Sequence, residues 1–397
     1  MMAKRTVRDL KDLKGARVFV RVDYNVPVKD GVITDDTRIR ASLPTLELLI
    51  AAGARLFLAS HLGRPKKGPA PEFSLKPAAA RLSELLGRPV LMAGDSVGAQ
   101  VKELAGSLGD GGVVLLENVR FYKGEEANDP GFAARLIADT GATVFVNDAF
   151  GTAHRAHAST EGVSHHVKTS VAGLLMEKEV KYLGLALEAP ERPFVAVLGG
   201  AKVSDKIQVI ESLLPRVDAL LVGGGMAYTF FRAQGLDTGK SLVEEDKVGL
   251  AQELLAKAQG KIRLPQDHVV AAAFNADAEH KTMPANEFPE GWMGLDIGPA
   301  TARAFAAQVL GARLVLWNGP MGVFEMPAFA QGTLAMAKAL AECPGTSIVG
   351  GGDSVAAVTQ MGLADKITHV STGGGASLEF LAGDPLPGVT CLNDTDE

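Results

Sequence analysis

Two groups of residues in this 397-residue chain could do chemistry, and they lie in different halves. The first is the pair Lys202 and Lys206. The apolar run Phe194–Leu198 stops abruptly at Gly199-Gly200-Ala201, and Ile207, Ile210, Leu213 and Leu214 then follow at helical spacing. A strand, a glycine turn and a helix N-terminus leave backbone N–H groups pointing beyond the turn, which favours an anion there. A helix is expected to open at Ser204-Asp205, and Lys202 and Lys206, four apart, share one face if both are helical. Two ammonium groups at such a turn suit a polyphosphate. A strand-to-helix turn with two solvated lysines would read the same from this stretch alone.

The second group is basic and scattered: Arg21, Arg38, His61, Arg64, Arg120 and Arg155. One arginine just past a strand is ordinarily solvated or in a surface ion pair. Several past consecutive strands are different, because those ends converge in a parallel sheet. Arginine binds phosphate and carboxylate in bidentate fashion. Arg21 fits this least well, since it lies within its strand and could simply pair with Asp23. Asp23 and Asn25 add a carboxylate and an amide suited to a hydroxyl. The ligand implied is small, anionic and hydroxylated. His154 and His157, with His165 and His166 nearby, do not have the HExxH spacing, and no cysteine joins them. They read as the lining of an anion pocket or a loop, not as metal ligands.

Glycine clusters supply the remaining signal. Gly350-Gly351-Gly352-Asp353-Ser354 and Gly373-Gly374-Gly375-Ala376-Ser377 each stand between an apolar run and a helical pattern. Such glycines let a phosphate approach the backbone closely. Asp353 could cap the following helix or serve as a Mg²⁺ ligand, because Mg²⁺ bound to phosphates takes only one or two protein carboxylates. Gly235-Leu-Asp-Thr-Gly239-Lys240-Ser241 resembles a P-loop but has one residue too few between its glycines. No glycine cluster reads GxGxxG after a strand, which disfavours a nicotinamide enzyme.

The elements that must carry these residues alternate. Strands are expected at Arg17–Val22, Arg55–Ala59, Val113–Glu117, Thr143–Asn147, Phe194–Leu198, Ala219–Val222, Val269–Ala273, Leu314–Trp317, Ser347–Val349 and Thr368–Val370, with helical patterns between many of them. Alternation of this kind builds parallel sheets covered on both faces. The expected fold is α/β, with two doubly wound, Rossmann-like domains flanking a cleft. The boundaries read 1–170, a joining helix at 171–189, 190–380, and a C-terminal tail at 381–397. Ligands bind outside the carboxyl ends of strands in such sheets. One domain offers arginines and histidines there, and the other offers backbone amides, so two different ligands are brought together.

Composition narrows the class. A net charge of −6 argues against a general nucleic-acid binder. Two cysteines without a CxxC pattern suit a reducing compartment. The opening MMAKRTVRDL has no apolar core of a signal peptide, and no apolar run reaches membrane-spanning length. A cytoplasmic location without a membrane partner is expected.

The segments RVDYNVP (Arg21–Pro27), SHLGRP (Ser60–Pro65), ENVRF (Glu117–Phe121), NDAFGTAHRAHAS (Asn147–Ser159), LGGAKVSDKI (Leu198–Ile207), GWMGLDIGP (Gly291–Pro299), WNGPMGVFE (Trp317–Glu325), GGGDS (Gly350–Ser354) and STGGGASLEF (Ser371–Phe380) resemble phosphoglycerate kinase, in family order. Tyr24 stands where Phe is usual and Ser354 where Thr is common. The resemblance implies reversible phosphoryl transfer between ATP and 3-phosphoglycerate, giving ADP and 1,3-bisphosphoglycerate with Mg²⁺. It implies a phosphoglycerate site of Asp23, Asn25, Arg38, His61, Leu62, Gly63, Arg64, Arg120 and Arg155 in the first domain. It implies a nucleotide site of Gly200, Lys202, Lys206, Gly294, Glu325, Gly351, Gly352, Asp353 and Ser354 in the second, with Glu325 at the ribose and Asp353 at the metal. Arg38, Lys202, Gly352 and Gly375 take the catalytic roles, and the chain would act as a monomer. Two rivals remain from the residues: another two-domain ATP-dependent kinase of a small acid, and a hinged binding protein.

Overall fold

The structure is a computed structural model and describes residues 4–395. The chain divides into two compact units. One runs up to Lys181 and includes the segment from Pro385, and the other is Tyr182–Asp384.

In unit 1, six strands form one parallel sheet: β1 (Arg17–Arg21), β2 (Arg55–Ala59), β3 (Leu91–Met92), β4 (Val113–Leu115), β5 (Val144–Asn147) and β6 (Thr169–Ala172), in the order β3-β4-β2-β1-β5-β6. The helices are α1 (Thr37–Ala51), α2 (Lys76–Leu86), α3 (Ala99–Ser107), α4 (Lys123–Glu126), α5 (Pro130–Thr140) and the start of α6 (Leu174–Leu187). Strands buried on both faces carry near-continuous apolar runs. In β1, Val18 and Val20 pack with Leu46 and Leu49 of α1, while on the other face Phe19 meets Phe145 at 6.2 Å between ring centres. The register pairs Arg21 with both Ala59 and Asn147. β1, β2 and β5 therefore end level, and the loops that follow them emerge side by side.

β3 and β6 were not foreseen, because two apolar residues at β3 and a Ser/Thr-bearing run at β6 carry little periodic signal. The C-terminal segment packs on β6 and on the loop after β5. Asn393 N–H donates to Ser170 O at 2.9 Å, and Asn147 Nδ2 donates to Gly388 O at 2.8 Å. A Cβ at Gly388 would lie 2.9 Å from Ala153 Cα, so only glycine permits this approach. Asp396 and Glu397, the end of the expected tail, lie outside the described residues.

Unit 2 holds a second six-stranded parallel sheet. Its strands are β7 (Phe194–Leu198), β8 (Ala219–Val222), β9 (Ile262–Arg263), β13 (Leu314–Asn318), β14 (Thr346–Gly350) and β15 (His369–Val370), in the order β9-β8-β7-β13-β14-β15. A three-stranded antiparallel sheet, β11-β10-β12, stands apart from it, made of β10 (Asp267–Ala271), β11 (His280–Pro284) and β12 (Met293–Ile297). Here the structure corrects the sequence reading. The apolar run near Val269 is a strand, but it lies in the small sheet, and β9 takes the sixth place in the large one. A parallel neighbour needs a crossover of about a dozen residues, and only residues 264–266 separate β9 from β10.

The helices of unit 2 are the end of α6, then α7 (Ile207–Leu213), α8 (Met226–Ala233), α9 (Val248–Ala258), α10 (Pro299–Leu310), α11 (Gln331–Glu342), α12 (Gly352–Gln360) and α13 (Gly375–Ala382). Asn318 pairs with Leu198 and with Gly350, so the loops after β7, β13 and β14 also emerge level. A second correction concerns α7. It opens at Ile207, not at Ser204, and Lys206 N–H closes a turn onto Val203 O at 2.9 Å. Lys202 and Lys206 therefore do not share a helical face.

Candidate active site

The strand ends of unit 1 gather a cationic cluster. Arg38, in the first turn of α1, donates from Nη1 to Asn25 O at 3.0 Å and pairs with Asp23 Oδ2 at 3.1 Å. Asn25 Oδ1 accepts the Gly63 N–H at 2.9 Å, and Gly63 O accepts Arg120 Nη1 at 2.8 Å. Asn118 Nδ2 donates to Leu62 O at 2.8 Å, which holds the His61–Gly63 loop from below. Gly63 has φ +61, and a Cβ there would meet the Phe73 ring at 2.5 Å. Arg155 donates from Nε to His154 Nε2 at 3.1 Å and lies near enough to His61 to affect its titration. Arg64 is exposed, and no hydrogen bond or ion pair among the described residues ties it to the group.

Arg21 corrects another expectation. Arg38 takes the Asp23 carboxylate, while Arg21 is buried and turns inward to Ser159, Val22 O and His61. Glu125 and Ser159, beneath Arg21, were missed by sequence reasoning. Glu125 reads as one of two adjacent acidic residues in a short, surface-like segment, and nothing local marks it as buried.

Burial first, and the arginines second, push the pKa of His61 well below the ordinary range and that of His157 down to about 4. Burial and Arg155 push His154 down as well. These rings contribute hydrogen bonds without adding charge. The unfolded chain takes up a proton at His157 between its ordinary pKa near ~6.5 and about 4, where the folded chain does not. Stability is therefore lost as pH falls through that window. His157→Gln is expected to make the fall in thermal midpoint between pH 6.5 and pH 4 shallower, as calorimetry would show. An unchanged slope would mean that the folded ring already carries a proton.

Unit 2 has a cavity of about 520 Å³ lined by Gly200, Gly294, Glu325 and Asp353 together with Tyr228, Phe274 and Asp296. Gly294 is required there, because a Cβ would fall 1.6 Å from Tyr228 Oη. Gly200 adopts φ +107, which turns the chain out of β7. Asp353 stands exposed in the first turn of α12, whose N-cap is Gly351 and lacks a side-chain cap bond. That removes the capping explanation for Asp353.

Lys206 is buried and donates from Nζ to Asn318 Oδ1; burial pushes its pKa down to about 8, opposed by Asp205 and Asp353. Lys202 is exposed beside it in sequence. Ser354 is wholly buried, and its Oγ accepts the Gly319 N–H at 2.6 Å, so it secures the loop after β13 and is not part of the cavity wall. Gly351 and Gly352 begin α12, while Gly375 lines a separate depression with Ser204 and Asp205.

Asn318 and Asp296 were not singled out from sequence. Asn318 ends a fully apolar strand, a legible signal, and its Nδ2 is buried without a partner. Asp296 caps α11 by accepting the Gly332 N–H at 2.8 Å, and burial pushes its pKa up to about 7.

One unit thus presents guanidinium groups with a carboxylate and an amide. The other presents a cavity lined by glycine turns, Lys240 and the carboxylates of Asp296, Glu325 and Asp353, with Lys202 and Lys206 outside its lining. The Phosphoglycerate kinase family profile matches residues 7–384. The chain is 60% identical to the cytosolic phosphoglycerate kinase of Triticum aestivum over 403 aligned residues, covering 99% of this chain and 100% of that protein. It is also 60% identical to the phosphoglycerate kinase of Moorella thermoacetica over 396 residues, with the same coverage. Among solved structures, phosphoglycerate kinase from Coxiella burnetii matches with a TM-score of 0.88 at 43% identity, over 98% of each chain. On this full-length agreement, the chain belongs to the phosphoglycerate kinase family.

Proposed function

We propose that the chain divides its family's reaction between its two units, with 3-phosphoglycerate held by unit 1 and the nucleotide held by unit 2. The reaction is reversible phosphoryl transfer between ATP and the carboxylate of 3-phosphoglycerate, a glycolytic kinase reaction with a carboxyl acceptor. The observation that carries the division is the linked set Asp23–Arg38–Asn25–Gly63–Arg120, cations and hydroxyl acceptors at one strand edge. The glycine-turned cavity of unit 2 supports the other half.

Asp23 and Asn25 would take the substrate hydroxyl. Arg120, Arg155, Arg64, His61 and the Leu62–Gly63 backbone would take its phosphate, and Arg38 its carboxylate. Gly200 and Gly294 would flank the base, with Glu325 at the ribose. Lys206, held by Asn318, would grip the nucleotide phosphates with the Gly351–Gly352 amides, and Ser354 would steady the loop after β13. Mg²⁺ fits this donor set. No cluster of three or more potential metal ligands occurs among the described residues, and the one exposed carboxylate at α12, Asp353, is what a phosphate-borne Mg²⁺ requires. When bound, the ion would neutralise charge on the nucleotide phosphates.

The nucleophile needs no base. A carboxylic acid with pKa near ~4 is ionised at neutral pH. The obstacle is repulsion between anionic acceptor and anionic donor, and catalysis is positioning and charge stabilisation. Arg38 holds the attacking carboxylate, Lys202 meets the group in transit, and Gly352 and Gly375 offer backbone N–H groups to it. Direct in-line transfer requires the two bound ligands to meet, so the reading includes a closing motion, which also excludes water. We read the chain as a cytoplasmic monomer acting on small molecules. In support, no described helix is long and apolar enough to cross a membrane, and the Triticum relative is named cytosolic.

Asp353→Ala is expected to weaken Mg-nucleotide binding about tenfold or more, the scale for losing a charge-assisted contact, with 3-phosphoglycerate affinity unchanged. Calorimetric titration of each ligand decides this, and unaltered nucleotide affinity would remove Asp353 from the site.

A further inference from the structure

The buried layer beneath the cationic cluster of unit 1 has a direction. Arg21 donates from Nε to Ser159 Oγ at 2.8 Å, and its Nη2 lies 3.1 Å from His61 Nδ1. Ser159 Oγ lies 2.6 Å from Glu125 Oε1, and Ser159 N–H donates to Glu125 Oε2 at 2.9 Å. Arg21, Ser159 and Glu125 are all buried, and Glu125 and Ser159 are 0% exposed.

A guanidinium has five N–H donors, no acceptor, and keeps its charge. Ser159 Oγ must therefore accept from Arg21 and turn its own proton towards Glu125. Glu125 then accepts on both oxygens, the pattern of an ionised carboxylate. Facing the other end of Arg21, His61 Nδ1 must offer a lone pair. In a neutral imidazole with Nδ1 bare, the proton is on Nε2.

We propose that Glu125 and Ser159, acting through Arg21, are positioning residues that fix His61 as the neutral Nε2–H tautomer, so the ring presents one N–H donor to the anionic ligand of unit 1. The depressed pKa of His61 agrees, since a second ring proton would point at an arginine N–H. Burial raises the pKa of Glu125, and the bonds from Ser159 and the charge of Arg21 oppose that. The carboxylate in turn, together with Asp23, balances the buried guanidinium. The use of the donor rests on the assignment of 3-phosphoglycerate to unit 1, whereas the tautomer is a property of the free enzyme.

The test is a long-range ¹H–¹⁵N correlation on ligand-free, ¹⁵N-labelled enzyme, with His61→Gln identifying the signals. The wild type should show an unprotonated Nδ1 and a protonated Nε2 at neutral pH. Ser159→Ala and Glu125→Gln should each mix the two tautomers. They should also raise KM for 3-phosphoglycerate about three- to tenfold, the scale of one hydrogen bond, with kcat within about twofold. A protonated Nδ1 or a charged ring in the wild type overturns the proposal, whatever the variants do. A tautomer ratio unmoved in both variants, or one that moves without any change in KM, overturns the positioning role. If His61→Gln leaves 3-phosphoglycerate affinity unchanged by calorimetry, the ligand assignment fails while the tautomer result stands.

Discussion

Arg38→Ala is expected to lower kcat by about two to three orders of magnitude, with nucleotide affinity within a few-fold of wild type. Removing one preorganised donor at a developing charge costs about 10²–10³ in rate, or roughly 3–4 kcal/mol. Arg38 suits that role because its anchors leave it reach. Its guanidinium is held by Asp23 and by the Asn25 carbonyl, yet the side chain stays 36% exposed at the head of α1. Steady-state kinetics with each substrate varied, together with nucleotide titration, would check it. A kcat unchanged within twofold would sink the assignment. A loss confined to KM for 3-phosphoglycerate would reduce Arg38 to a binding group.

Lys202→Ala carries the second large effect. It is expected to lower kcat by about 10³ or more, by analogy with cations that meet a transferring phosphoryl group, with nucleotide affinity nearly preserved. Lys206→Ala is expected to show the opposite pattern, a raised KM for nucleotide with a smaller change in kcat. The structure gives a reason for the difference. Lys206 is buried and tied to Asn318, which suits a fixed grip on ground-state phosphates, whereas Lys202 is exposed and able to follow a moving group. Rapid-quench measurement of the transfer step on both variants separates the two. Equal effects on that step would erase the division.

Much of this was readable before any coordinates. The strands Phe194–Leu198 and Ala219–Val222 have the extents read from sequence, because buried parallel strands are short apolar runs with sharp glycine ends. Arg38 and Arg120 were readable because consecutive parallel strands must place their ends together. What failed has a common cause in non-local contacts. The run near Val269 looks like its neighbours until the three-residue gap before it rules out a parallel crossover. The helix after Gly200 was drawn too early, because Val203–Lys206 form a turn that periodicity alone does not separate from a first helical turn. Arg21 could be seen from sequence only as able to pair with Asp23, since its observed partners, Ser159 and His61, are 138 and 40 residues away. Glu125 was invisible for the same reason. Ser354 was placed at the nucleotide by motif, and in the structure its Oγ accepts the Gly319 N–H.

A kinase that transfers a phosphoryl group from ATP to a carboxylate, with its two ligands on separate units, can be assayed by coupling ADP release to a second enzyme. Enzyme is mixed with ATP and 3-phosphoglycerate, with and without Mg²⁺, and ADP formation is followed. ADP is expected only when 3-phosphoglycerate and Mg²⁺ are both present. ADP formation that is indifferent to 3-phosphoglycerate, or no turnover with all three present, would contradict it.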